Sequence, residues 1–180
     1  REYTMAEFSS TKFDRDTLVQ LIQVGPLINS SLELEEILKE VMQLTYRLLK
    51  CEASSLLLLD DQTNCLIFQT APGQKARDLK NVSLRIGQGI AGIVAQNGKP
   101  IIVSDAASDQ RHFSQADWKT GFSTKSIVCV PLKTRGKIIG VVEAINKKDP
   151  LKFDDDDLAL LSIIADHAAI AIQNAKVFQE

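Results

Sequence analysis

Cysteine is scarce here and carries no pairing pattern: Cys51, Cys65 and Cys129 are odd in number and show no C-x-x-C spacing. A disulfide framework and a zinc site are therefore not expected, and a reducing, cytoplasmic setting is. Histidine is scarcer still, and His112 and His167 stand too far apart in sequence, with nothing suitable nearby, to seed a metal set. An excess of either charge is missing as well. The 21 Lys and Arg against 23 Asp and Glu leave a net charge of −2, which argues against a nucleic-acid partner. No apolar run approaches the ~20 residues needed to span a bilayer, and the start has no signal-peptide layout, so no membrane insertion is expected. No nucleophile–base–orienter set stands out, which gives the expectation of no enzyme in this region. The first residue is Arg1 rather than Met, as in a piece excised from a longer protein.

What is present is ordinary globular composition, 44% apolar and 24% charged over 180 residues, enough for one domain with a real core. We expect a leader over residues 1–13 and a single domain over 14–180 with helical extensions at both ends. Leu18, Leu21, Ile22, Gly25 and Ile28 follow helical spacing behind a cap at Asp14 or Asp16, and Gly25-Pro26 should kink or interrupt that helix. A second helix starts from Ser30 or Ser31 and carries Leu34, Ile37, Leu38, Val41, Leu44, Leu48 and Leu49 on one face. Strands are expected near 53–59, 65–70, 82–86 and 101–103. A helix over 89–97 ends at Gly98, with Pro100 beyond. Residues 71–81 read as a loop, and 104–119 as a long loop with one or two helical turns. A final helix from about Asp154 to Phe178 places Leu158, Leu161, Ile164, Ala165, Ala168, Ile172 and Ala175 on one side. These elements describe an α/β (α+β) sandwich with a mostly antiparallel sheet.

The organising stretch is 120–147. Lys125 to Leu132 (KSIVCVPL) and Ile138 to Ile145 (IIGVVEAI) are β-branched, apolar runs joined by a Gly-containing turn, hence two central strands of a hairpin. Glu143 interrupts the second strand. An ionisable group in so apolar a run faces either solvent or a pocket that gives it a partner. Upstream, Gly87-Gln88-Gly89-Ile90-Ala91-Gly92 sits where a strand hands over to a helix. It reads either as an anion cradle built on helix-start amides or as turn, cap and packing glycines. It lacks the Lys-Ser/Thr of a P-loop and the spacing of a dinucleotide fingerprint.

The segment T-G-F-S-T-K-S-I-V-C-V-P-L followed by G-K-I-I-G-V-V-E-A-I-N-K, with the glycine stretch before it and Phe153 and its acidic run after it, resembles a GAF domain. The resemblance is to the type found in cyclic-nucleotide phosphodiesterases and related bacterial cyclases, and it spans roughly Leu32 to Lys176. It implies a central sheet of about six strands, terminal helices packed on one face, and a ligand pocket on the other. Carried over residue by residue, it implies cyclic-phosphate contacts at the amides of Ile90 and Ala91 and hydroxyl contacts from Thr120 and Thr124. It further implies a base acceptor at Glu143 and a base contact near Ser55. Phe68 is a candidate for stacking on the purine, and Phe113 for lining the lid. The family's Asn-Lys-Phe-Asp-Glu signature falls on Asn146, Lys147, Phe153 and Asp157. Leu158 then stands where the family has Glu, unless a one-residue gap makes the pair Asp155-Asp156. In the family the Lys and Asp form a structural ion pair under the pocket.

The resemblance thus implies a regulatory, small-molecule-sensing domain of a signalling protein. It requires no cofactor, cyclic AMP or cyclic GMP is the leading ligand, and the terminal helices pass the signal. The alternative is a GAF-like dimerisation module with a non-nucleotide ligand or none. The lid region 104–119 has no Cys, so bilin attachment is not expected, and only His112 could offer itself to haem. Cys129 reads as a buried, inert thiol, and the three cysteines are badly placed for the methionine-sulfoxide reductase class. Trp118 and Phe122 read as lid packing or as a ligand patch. The apolar stripes of residues 14–29 and 158–178 suggest a parallel homodimer built on the terminal helices.

Overall fold

The computed structural model describes residues 13–69, 82–112, 123–148 and 152–179, and within them the chain forms four helices and six strands. The helices are α1 (Arg15–Ile28), α2 (Leu34–Leu48), α3 (Gly89–Asn97) and α4 (Asp155–Gln179). The strands are β1 (Cys51–Asp60), β2 (Cys65–Phe68), β3 (Ser83–Arg85), β4 (Ile101–Val103), β5 (Ile127–Thr134) and β6 (Lys137–Lys147). The strands form one sheet in the order β3-β2-β1-β6-β5-β4, every neighbouring pair antiparallel.

Each side of the sheet has its own apolar layer, because side chains alternate along a strand. Leu56, Leu58, Val128, Val130, Val142 and Ala144 meet α1, α2 and α4 on one side. Leu57, Leu66, Cys129 and Val141 meet Ile90, Ala91, Val94 and Ala95 of α3 on the other. The expected stripe of α4, from Leu158 to Ala175, is buried in the first layer. By length and composition α4 could cross a membrane, yet 61% of its most apolar stretch is buried inside the fold.

The helix ends follow local chemistry, with two corrections. Asp14 caps α1 by accepting the Thr17 N–H at 2.7 Å. The helix runs through Pro26 without interruption. Proline there removes the donor for the Ile22 carbonyl, and Ile22 is 76% exposed, where water can replace that bond. Neither Ser30 nor Ser31 caps α2. Its N-cap is Glu33, without a side-chain bond, while Ser31 Oγ accepts the Glu33 N–H in a local turn and Ser30 donates to the Leu27 carbonyl. Gly98 ends α3 in the left-handed region at φ 66°. In the long loop, residues 104–112 form turns and no helix; the remainder, 113–119, lies outside the described residues, as do residues 1–12 of the expected leader.

The β5–β6 hairpin turns on Arg135 and Gly136, both with positive φ (50° and 75°), the conformation of a two-residue hairpin turn. Thr134 pairs with Lys137 and Lys133 with Ile138, but Leu132 pairs with Gly140, so Ile139 is an extra residue. This bulge shifts the register of everything beyond it. Gly140 then lies so close to β1 that a Cβ would run into the Leu57 carbonyl oxygen, whereas a Cβ on Gly136 would meet nothing within 4 Å. Gly136→Ala should therefore cost only the strain of its left-handed backbone, about 1–2 kcal/mol. Gly140→Ala should cost ~3 kcal/mol or more, or prevent folding, because backbone must move. Thermal unfolding of the two variants side by side checks this ranking.

Candidate functional site

The bulge brings three polar groups into one cross-strand row. Ser55 on β1 pairs with Glu143 on β6, Glu143 with Cys129 on β5, and Cys129 with Ile101 on β4. By strand alternation this row points to the α3 side, among Leu57, Val141 and Ile127. Ser55 Oγ donates to Glu143 Oε2 at 2.9 Å, and the two residues are 4% and 8% exposed. Burial first, then the neighbouring Glu143 charge and a hydrogen bond to it, hold the Cys129 thiol well above its usual range. Burial likewise pushes the Cys51 thiol up to about 11. The expectation that Cys129 is a buried thiol is met; its position against Glu143 was not foreseen.

The glycine stretch forms the edge of this layer. Gly87 and Gly89 have φ of 86° and 68°, and a Cβ on Gly92 would stand 2.6 Å from the Arg85 carbonyl oxygen. Gly87 N–H donates to the Gly92 carbonyl at 2.9 Å, and Gln88 Oε1 accepts from Arg85 N–H at 3.1 Å. Each of these glycines thus has a structural reason, and the helix start they create sets Ile90 and Ala91, both buried, over the sheet. Phe68 is buried in the same apolar layer, opposite Leu57, where it packs as a core residue.

A second network secures the entry to β5. Asn146, with φ 57°, accepts from the Lys125 N–H at 2.6 Å and the Ser126 N–H at 3.2 Å through Oδ1. Its Nδ2 donates to the Ser123 carbonyl at 2.8 Å and to Glu52 Oε2 at 2.9 Å. Thr124, buried at 7%, therefore sits in a segment whose backbone is held on both sides. Thr120 and Phe113, with Trp118 and Phe122, lie outside the described residues. His112 ends the described part of the long loop, its N–H donating to the Asp109 carbonyl at 3.0 Å. The Arg111 guanidinium beside Asp109 pulls that carboxyl down to about 2. Among the described residues no group of His, Cys, Asp and Glu is arranged to hold a metal.

Next to Asn146, Lys147 turns toward α4. Its ammonium lies 2.5 Å from Asp157 Oδ1, with both side chains buried, and 5.8 Å from the centre of the Phe153 ring. Asp157 also accepts the Asp154 N–H at 3.1 Å, while Asp154 accepts the Asp157 N–H at 2.9 Å, a reciprocal cap on α4. Within the acidic run Asp157 is the aspartate that pairs with Lys147, and Leu158 follows it into the core.

Comparison with known proteins agrees with this geometry. A family model for the GAF domain matches residues 33–172, and the chain belongs to the GAF domain family. Among curated proteins it is 29% identical over 163 residues to a probable 3',5'-cyclic phosphodiesterase of Caenorhabditis elegans, covering 86% of this chain and 22% of that protein. It is also 29% identical over 167 residues to a dual 3',5'-cyclic-AMP and -GMP phosphodiesterase of Drosophila melanogaster, covering 85% of this chain and 12% of that one. The chain thus spans between 12% and 22% of the length of these relatives. Among solved structures, the GAF domain of a phosphoenolpyruvate-protein phosphotransferase from Coxiella burnetii superposes with a TM-score of 0.81 at 22% identity, covering 91% of this chain and 96% of that one. A free methionine-R-sulfoxide reductase from Neisseria meningitidis superposes at 0.76 with 18% identity, covering 93% and 96%. At these identities the likeness is one of fold, and it bears out the six-stranded α+β architecture.

The buried ion pair yields a test with a defined pH sign. Burial raises the Asp157 carboxyl above its usual range, while the Lys147 hydrogen bond and charge pull it down. A raised carboxyl contributes most to stability below its unfolded pKa, and that contribution is lost as pH rises through the folded pKa. Lys147→Met removes the downward pull, so the loss at neutral pH should grow by ~3 kcal/mol, as for a buried charge stripped of its partner. The deficit should shrink on acidification as Asp157 takes a proton, and adding Asp157→Asn should restore stability at pH 7. Urea unfolding of both variants between pH 4 and 7 checks this.

Proposed function

We propose that this domain is a regulatory sensor that binds a cyclic nucleotide between α3 and the sheet and acts through its terminal helices. The single observation that carries the reading is the buried Ser55–Glu143 pair on the α3 face. A hydrogen-bonded carboxylate inside an apolar layer is expensive to desolvate, and a ligand donor is what makes such a group useful. The helix start at Ile90 and Ala91 favours an anion, and the held segment around Thr124 supplies a hydroxyl; the cyclic phosphate and the purine base of a cyclic nucleotide have this bipolar character. That the curated relatives are cyclic-nucleotide phosphodiesterases supports the same class. The domain itself does no chemistry, requires no cofactor, and works in the cytoplasm as one part of a larger signalling protein.

Binding of cyclic AMP or cyclic GMP at micromolar affinity or better, about −8 kcal/mol, is the expected result in calorimetry. Thr124→Ala should cost on the order of 1 kcal/mol. Glu143→Ala should alter the preference between the two purines more than it weakens their shared ribose-phosphate. No heat from either nucleotide at millimolar concentration, with folded and unliganded protein, would leave the alternative of a module with a non-nucleotide ligand or none.

A parallel homodimer is the second reading, and a specific surface favours it. The core-facing stripe of α4 is already used, but Leu18, Val19 and Ile22 on α1 and Ile170, Val177 and Phe178 on α4 are exposed, Ile22 and Phe178 at 76%. A second copy of the chain is the partner that this apolar strip fits, since α1 and α4 pack on one another and present it together. Ile22→Glu with Ile170→Glu should give a monomer in sedimentation without lowering the melting temperature, because neither side chain is in the core.

A further inference from the structure

We propose that Asn97 is a spontaneous deamidation site that the C-terminal cap of α3 holds closed, so that its conversion counts the openings of that helix. Neither a ligand nor a partner is needed for it. Asn97 is the one asparagine of the chain that precedes a glycine. Glycine has no Cβ to bar the approach, so the Gly98 nitrogen can reach the Asn97 side chain wherever the backbone leaves both free. The Gly98 amide nitrogen then gives up its proton and bonds to Asn97 Cγ, the Cγ–Nδ2 bond breaks, and the amino group takes up a proton and leaves as ammonia. Water opens the resulting succinimide at either carbonyl. The products are aspartate and isoaspartate, the latter with a main chain that runs through Cγ and is longer by one methylene.

Three features of the fold close this route. Asn97 is the last residue of α3, and on a helix the Cα–Cβ bond leans toward the N-terminus, away from the Gly98 nitrogen. The Gly98 N–H donates to the Val94 carbonyl at 2.8 Å, so that nitrogen is occupied. Gly98 is also pinned. It is buried with φ 66°, and Lys133 Cε and Ile138 Cδ1 lie 3.0 and 3.2 Å from where a Cβ would stand. Asn97 is nonetheless exposed, so water reaches its amide as soon as the last turn of α3 lets go. Refolding cannot undo the product. A carboxylate at 97 stands at the negative end of the α3 dipole, and the isoaspartate methylene breaks the register of the bond from Gly98 to Val94. Since α3 seats Val94 and Ala95 on the sheet, conversion loosens the helix there.

Peptide mapping by mass spectrometry, with fragmentation that separates isoaspartate from aspartate, reads the conversion in mildly alkaline buffer. In protein unfolded by guanidinium, Asn97 should convert ahead of every other asparagine; an unfolded chain that keeps its Asn97 amide overturns the site. In the folded protein the conversion should be slower by roughly tenfold or more, set by the population of the opened turn. Equal rates in the two states overturn the protection. In denaturant too dilute to unfold the domain, the rate should climb less steeply than the globally unfolded fraction, because one turn exposes little surface. A rate that follows the unfolded fraction overturns the gating by the cap. Gln96→Gly, at an exposed position in the same turn, should speed conversion by about fivefold, the helix propensity lost to glycine, and should speed hydrogen exchange at the Gly98 N–H alongside. Faster exchange at Gly98 with an unchanged conversion rate likewise overturns the gating.

Discussion

Holding a carboxylate inside an apolar layer is the constraint on which this molecule depends. Glu143 sits on the central strand β6, between β1 and β5, with α3 above it. Ser55 from β1 donates to it, and Cys129 from β5 stands opposite it on the other side. Were the β5 register one residue different, Cys129 would be exchanged for Val128 or Val130 of the opposite face. The positions that fix the register therefore serve the site. Gly140 lets β6 press against β1, and the bulge at Ile139 brings Cys129 opposite Glu143.

The end of β6 ties this face to the helices on the other. Asn146 holds the backbone of 123–126, and Lys147 beside it holds the capped start of α4. Two consecutive residues thus anchor the segment bearing Thr124 and the helix whose outer surface is the candidate seam. Neither anchor is a large source of stability, since a buried ion pair returns little beyond its desolvation. What both supply is definite geometry. Asn146 takes a left-handed backbone at φ 57° to aim its amide at four partners, a conformation that asparagine tolerates better than most residues.

Local signals were legible wherever a single residue type decides a conformation. The helix over 89–97 and its stop at Gly98, the strand at 101–103, the cap at Asp14 and the two central strands follow from turn, cap and periodicity rules. Of the kink or interruption expected at Gly25-Pro26, the interruption does not occur, because the proline falls near the end of α1, over a carbonyl that water can reach. The serine caps of α2 failed because both hydroxyls find nearer backbone partners. Individually, Ser55, Glu143, Lys147 and Asp157 could be singled out by their type in an apolar setting and by family resemblance.

Beyond the Lys147–Asp157 pair that the resemblance implies, which side chains touch could not be read in the same way. Ser55 and Glu143 are 88 residues apart, and their meeting depends on two strands choosing one another. Counted back from the Thr134–Lys137 rung without a bulge, Cys129 would fall opposite Val142 and not opposite Glu143. A bulge leaves little trace in composition, so the thiol beside the carboxylate stays hidden until the sheet is assembled. The acidic run shows the same division. The sequence determined that four aspartates begin a helix, where the dipole favours them. Only the approach of Lys147 from β6 decided that Asp157, and not its neighbours, is the one turned inward, because the Lys147 ammonium meets its carboxylate there.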